Sequence, residues 1–272
     1  MGGVPSGKPS APRIRPATYH LPAVAVFARA PVAGHAKTRL SPLLGSQAAA
    51  RFQAALISDT LRKVAGLKGC VQPYLFLAGN SIPYGRSHAP TILPELSWAQ
   101  AHIRDFSIIH QRGKDLADRL ENAFRALLHL HSSCVVIATD SPLLPARILR
   151  QALRELNVCE SVLGPCPDGG YYLIGLRQPG DPRMLGAIFR RVRWSTAFAF
   201  RDTLRNLQRR GLSCSVLEEC ADVDLPADLQ CLKKALSRDR KARHLAPATW
   251  NFVKRISLLP GDVVGPNGVR PL

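Results

Sequence analysis

The sequence is poor in aromatic residues, poor in acids and without long apolar runs. Phe, Trp and Tyr make up 6% of its 272 residues. Binding of single-stranded nucleic acid draws on stacked aromatic platforms. So few aromatics, with no recognisable nucleic-acid motif, count against that class. No stretch reaches the roughly 20 apolar residues of a membrane span. Residues 1–20 hold Pro, Ser, Gly, Lys and Arg without an acid or an apolar core, so no secretory signal is read there. No internal repeat is present. Cysteines stand at 70, 134, 159, 166, 214, 220 and 231, an odd number without a Cys-x-x-Cys pair. That pattern reads as reduced thiols in a cytoplasmic protein rather than a disulfide framework.

What is abundant is positive charge. Thirty-seven Lys and Arg against 19 Asp and Glu give a net charge of +18. Residues 177–210 alone hold nine arginines against Asp181 and Asp202. Such a balance suits a polyanionic partner, a nucleotide among them, or a solvated basic face. The solvated face is the simpler reading, and no specific nucleic-acid site is expected.

Periodicity gives the architecture. Continuous apolar runs at Pro22–Ala28, Pro73–Ala78 and Cys134–Thr139 read as buried strands. Shorter strands are expected at 162–164, 171–176 and 214–217. Helical stripes fall at 46–65, from 116, at 146–156, 198–210 and 228–236. Residues 80–113 read as irregular. Alternating strands and helices predict one α/β domain, a three-layer Rossmann-like unit with a mainly parallel sheet. Its expected span is 22–236, between a flexible extension at 1–21 and a basic tail at 237–272, loose from Pro260. Ligands of such sheets bind beyond the carboxyl ends of the strands, and the polar clusters fall there.

Four clusters carry chemistry. After the first strand come Gly34, Lys37, Thr38 and Arg39. A glycine loop with two cations can cradle phosphate, though a basic surface loop would look the same. It is no P-loop, because Ala36 and Pro31 occupy the places where that motif needs glycine. Asp140 ends the third strand, placed for a phosphate-bound divalent ion or for helix capping. Asp168-Gly169-Gly170 could admit a ligand, with Asp168 binding a metal or taking an acceptor's proton, or could be a plain turn. Asp222-Val-Asp224 puts two acids on one side of an extended segment, and Asp224 could complete a metal site with Asp140. Asp228 suits the next helix N-terminus.

Taken in order, Phe27 to Pro31, Lys37 to Leu40, Asp115 to Arg119, Thr139 to Pro142, Gly164 to Tyr172, Trp194-Ser195 and Asp222 to Asp224 resemble a bacterial family. It is the family called domain of unknown function 2064, inferred glycosyltransferases with the nucleotide-diphospho-sugar transferase fold. The likeness covers about residues 22–236 and extends to the 2-phospholactate and molybdenum-cofactor guanylyltransferases. It implies phosphate contacts from Lys37 and Arg39, Mg²⁺ or Mn²⁺ on Asp140 and Asp224, and Asp168 beside the acceptor. Arg119 is either an anion contact or a helix-surface charge. Departures are Ala117 and Ala138 where the family has Gly, Asp118 for Glu and Leu225 for Thr, and Asp-x-Asp is not evident at 140–142.

The first functional expectation is glycosyl transfer from a nucleotide sugar to a small-molecule acceptor. The second is nucleotidyl transfer, in which a phosphorylated acceptor attacks an NTP. A third class is non-enzymatic binding of nucleotide or nucleic acid. Donor, acceptor and oligomeric state are not specified by the sequence.

Overall fold

A computed structural model describes residues 21–79 and 103–256. Seven strands form one sheet: β1 (Ala23–Arg29), β2 (Gln72–Ala78), β3 (Ser107–His110), β4 (Ser133–Ala138), β5 (Ser161–Pro165), β6 (Tyr171–Arg177) and β7 (Cys214–Val216). Their order is β3-β2-β1-β4-β6-β5-β7. All neighbours are parallel except those of β6, which runs antiparallel to β4 and β5. The start of β6 therefore lies at the same edge as the carboxyl ends of β4 and β5.

Both faces of the sheet are covered, so its central strands are apolar throughout. In β1, Val24, Val26 and Ala28 face the core under helices Ser46–Ala65 and Ala146–Glu155. Ala23 and Ala25 face the opposite core, under helices Leu116–Leu128, Met184–Phe189 and Ala199–Arg209. That is the period of two expected of a strand. Between β1 and β4 the strand order reverses, since β2 and β3 lie on one side and β4 onward on the other. This is where such sheets open a crevice.

Several elements depart from the sequence reading, helices Ser41–Leu44 and Met184–Phe189 among them. β3 lies inside the stretch read as irregular, and residues 80–102 of that stretch fall outside the described residues, as do 1–20 and the end of the tail from 257. The beginning of the basic tail is ordered as helices Arg240–Leu245 and Pro247–Val253. Ala242, Ala246 and Val253 join a third core with Leu40, Phe52, Leu56, Val223 and Leu229. Leu40 follows the basic loop and Val223 lies between the two late acids, so this third core fixes both flanks of the crevice.

One buried carboxylate ties the last of these helices to helix Ser46–Ala65. Asp59 accepts hydrogen bonds from the backbone N–H of Ala248 (3.0 Å) and Thr249 (2.8 Å), at the open end of the last helix. Burial pushes its carboxyl up, against those hydrogen bonds and the nearby Lys63. Asp59→Ala would strand two N–H groups, a loss of about 1–3 kcal/mol. Urea unfolding should show that destabilisation; unchanged stability would mean the helix does not depend on the cap.

Candidate active site

Five of the residues marked in the sequence meet at the β1–β4 reversal. Lys37, Thr38, Arg39, Asp140 and Asp224 line a cavity of about 270 Å³ with Phe27, Arg29, Gln53 and Thr139. Lys37 is its centre. The Lys37 side chain is only 4% exposed, and its Nζ stands 2.9 Å from Asp140 Oδ1 and 3.1 Å from Asp224 Oδ1. It also donates to the Val223 carbonyl at 2.7 Å. Burial lowers the pKa of this ammonium, but the Asp140 and Asp224 carboxylates outweigh it and leave the group above the ordinary lysine value. The residue adopts φ 46°, ψ 47°, a left-handed conformation costly for a residue with Cβ. Its three side-chain partners hold it there.

The carboxylates are placed by the backbone. Asp140 follows β4, and its own carbonyl accepts from Val223 N–H at 2.9 Å, which pins the 222–224 segment across the strand end. The turn after Asp140 is held by Lys63, whose buried Nζ donates to the Pro142 carbonyl at 2.5 Å. Burial drops the Lys63 pKa to about 8. Asp228 accepts from the N–H groups of Asp224 (3.0 Å) and Leu225 (2.7 Å), the capping role expected of it. Arg39 donates to Asp224 Oδ2 at 3.2 Å. Both oxygens of Asp224 thus face cations, whereas Asp140 meets Lys37 and Thr139 through Oδ1.

Other marked residues lie around this centre. Arg119 lines an adjoining cavity of about 350 Å³ with Arg29, Ala30, Val32, His35, Ala78 and Gly79. Arg29 lines both cavities, and nothing in its place at the end of β1 marks it for a role. Gly34 has φ 80° in an exposed turn, where His35 and Ala36 N–H both bind the Val32 carbonyl. Those two amides are therefore engaged within the loop. Asp168, Gly169 and Gly170 line neither cavity. Asp168 accepts from Gly170 N–H at 2.8 Å, and Gly169 has φ 84°. A Cβ on Gly169 would lie 2.2 Å from the Ala197 carbonyl oxygen, so glycine is required there by close packing as well as by φ.

Two further groups stand by Asp168: Asp222 and Cys166. One ligand atom from each of the three lies within 4.8 Å of the others. Burial, then the charge of Asp168, with smaller pushes from Asp140 and Asp224, raises the Asp222 carboxyl to about 6. Burial likewise pushes the Cys166 thiol far up. The pairing of Asp222 with Asp168 crosses from one loop to another and leaves no spacing to read in the sequence.

The raised Asp222 value sets a pH dependence. A folded pKa above the unfolded value of about 3.9 favours the native state below about pH 4. That contribution is lost as pH rises through about 6. In chelator-treated protein, Asp222→Asn should raise the melting temperature relative to the parent at pH 7 and not at pH 4. An offset independent of pH would contradict the assignment.

Residues 66–196 match the family model described as "Uncharacterized protein conserved in bacteria (DUF2064)". No curated protein matches the chain. Among solved structures, one from Desulfovibrio desulfuricans G20 is described as a "putative nucleotide-diphospho-sugar transferase". It is 24% identical, covers 87% of this chain and 98% of that one, with a TM-score of 0.68. A cytidylyltransferase from Leptospira borgpetersenii is 11% identical over 88% of this chain and 100% of its own, with a TM-score of 0.49. A Mycobacterium tuberculosis protein solved with manganese is 16% identical over 78% and 98%, with a TM-score of 0.41. The last two are too distant to carry an argument. Residues 66–196 of this chain thus match the domain of unknown function 2064 family, and the sheet that carries them has the nucleotide-diphospho-sugar transferase fold.

Proposed function

We propose that the chain is a transferase that binds a nucleoside diphosphate sugar at the β1–β4 crevice and passes the sugar to a small-molecule acceptor. The observation that carries this reading is the convergence of Lys37, Arg39, Asp140 and Asp224 in one cavity at the strand ends. The described residues include no helix long and apolar enough to cross a membrane. The Desulfovibrio structure, described as such a transferase, shares the fold and supports the reading without deciding it.

In the proposed reaction the acceptor hydroxyl oxygen attacks the anomeric carbon. The bond from that carbon to the β-phosphate oxygen breaks, and the nucleoside diphosphate leaves with the electron pair. Lys37 and Arg39 supply positive charge where the leaving phosphate gains negative charge. Arg29 and Arg119 line the adjoining cavity and would add positive charge beside an anionic donor. Asp168 receives the acceptor's proton.

The residues fit a divalent ion on one condition. Asp140 and Asp224 are a hard oxygen donor pair suited to Mg²⁺ or Mn²⁺, but Lys37 now stands between them. An ion held by both carboxylates therefore requires the ammonium to turn toward phosphate. Such an ion would neutralise phosphate charge. Lys37 is then the exchangeable cation of the site: it balances the carboxylates in the free protein and the phosphate in the complex.

Two variants test this. Lys37→Ala removes a charge-assisted contact of about 1.5–3 kcal/mol, so nucleotide affinity should fall roughly 10- to 150-fold. Lys68, 80% exposed and paired with Asp105 at 3.5 Å, supplies the control; Lys68→Ala should bind as the parent does. Equal affinities for the two variants, by calorimetry at fixed salt and Mg²⁺, would remove Lys37 from the phosphate site. Asp140→Asn should keep the fold and lose the Mg²⁺ dependence of binding; an unchanged dependence would remove Asp140 from the metal site. Release of pyrophosphate from an NTP, instead of nucleoside diphosphate from a nucleotide sugar, would identify nucleotidyl transfer.

A further inference from the structure

The charges of the crevice are not balanced evenly. Lys37 and Arg39 both engage Asp224, and Lys37 also engages Asp140. No Lys or Arg among the described residues forms an ion pair with Asp168 or Asp222, whose ligand atoms lie within 4.8 Å of each other and of the Cys166 sulfur. Two carboxylates so placed call for a cation.

Cys166 supplies an independent observation. It is 94% buried, being 6% exposed, and its Sγ makes no hydrogen bond among the described residues. The residue belongs to the apolar core that includes Val162, Tyr172 and Leu217, and its sulfur at the same time lies within 4.8 Å of both carboxylates. The backbone fixes this arrangement. Cys166 N–H donates to the Gly170 carbonyl and Gly169 N–H to the Cys166 carbonyl, closing the loop that carries Cys166 and Asp168. Cys220 N–H binds the Pro165 carbonyl and Val223 N–H the Asp140 carbonyl, so Asp222 is anchored on either side.

We infer that Cys166, Asp168 and Asp222 form a metal site for Zn²⁺, separate from the Asp140–Asp224 pair. One sulfur and two carboxylate oxygens match a three-ligand zinc site with its fourth position open. The thiolate sets it apart from a site for Mg²⁺, which takes oxygen donors. Bond lengths of about 2.0–2.3 Å put tetrahedral ligand atoms about 3.5 Å apart, so the three atoms, now within 4.8 Å of one another, would draw together on binding. Binding replaces the Cys166 S–H bond by a sulfur–metal bond and releases the proton to solvent. Beside the crevice, the open position would bind an acceptor hydroxyl or water and lower its pKa, the proton passing to the Asp168 carboxylate oxygen that does not bind the ion. The site itself does not depend on the transferase reading, and its test reads the metal rather than turnover.

The probe is Co²⁺, titrated into the chelator-treated full chain. The parent should develop thiolate-to-cobalt charge-transfer absorption that saturates at one equivalent and is abolished by Zn²⁺ but not by Mg²⁺. Cys166→Ser should lose the band, while Cys70→Ser, at an exposed cysteine, should retain it. Loss of an outer-shell partner alone commonly costs 10- to 100-fold in metal affinity. Asp222→Asn removes a direct ligand and should weaken Zn²⁺ binding by at least about tenfold. Circular dichroism checks the fold, and Asp222→Asn carries the test if Cys166→Ser does not fold. No band in the parent, a band that survives Cys166→Ser, or unaltered Zn²⁺ affinity in Asp222→Asn would overturn the inference.

Discussion

The Lys37 ammonium is held between Asp140 and Asp224, and much of the crevice is arranged around that contact. It joins three segments far apart in the chain: the loop after β1, the end of β4 and the strip before helix Pro226–Arg238. A charge this deeply buried is tolerated only with compensation, and here two carboxylates and a carbonyl provide it. Removing Lys37 would leave two neighbouring carboxylates without their shared cation, whereas removing either carboxylate leaves Lys37 paired with the other. The left-handed backbone at Lys37 has the same explanation: its local strain is balanced by long-range contacts.

Around that contact the fold is organised to keep it rigid on two sides. Leu40 and Val223, the apolar neighbours of the cationic loop and of the late acids, are buried in a core built with the C-terminal helices. Asp59 ties the last of those helices to the long helix Ser46–Ala65. Lys63, four residues on, reaches the turn beyond Asp140. One helix therefore supports both the C-terminal cap of the domain and the position of a central carboxylate. The basic excess has a structural part too: Arg193 binds Asp202 through two nitrogens and lies over the Phe198 ring.

Most of the sheet was legible because buried parallel strands are written as unbroken apolar runs, as in Ala23–Arg29 and Ser133–Ala138. β3 was not legible, since Ser-Ile-Ile-His is too short to show a period. The helices at 240–253 were hidden by Arg240, Lys241 and Arg243, which gave the segment the look of a charged tail. The signal was present in Ala242, Ala246, Thr249 and Val253, which recur at helical spacing and are all buried. In the site, the strand-end position of Asp140 and the basic loop could be read from sequence. The direct clasp of Lys37 on the acids could not, because both partners are distant in the chain, Asp224 by 187 residues. Cys166 passed as one more thiol, because only the fold brings Asp222 to it.

On the proposed function, Lys37 exchanges its carboxylate partners for phosphate when nucleotide binds. The most direct measurement is a crystal structure of the chain with Mn²⁺ and the nucleoside diphosphate that binds best in solution. The expected complex has a phosphate oxygen within hydrogen-bond distance of Lys37 Nζ, Arg39 beside it, and manganese on Asp140 and Asp224. A nucleotide bound elsewhere, with Lys37 still clasped between the two carboxylates, would contradict it.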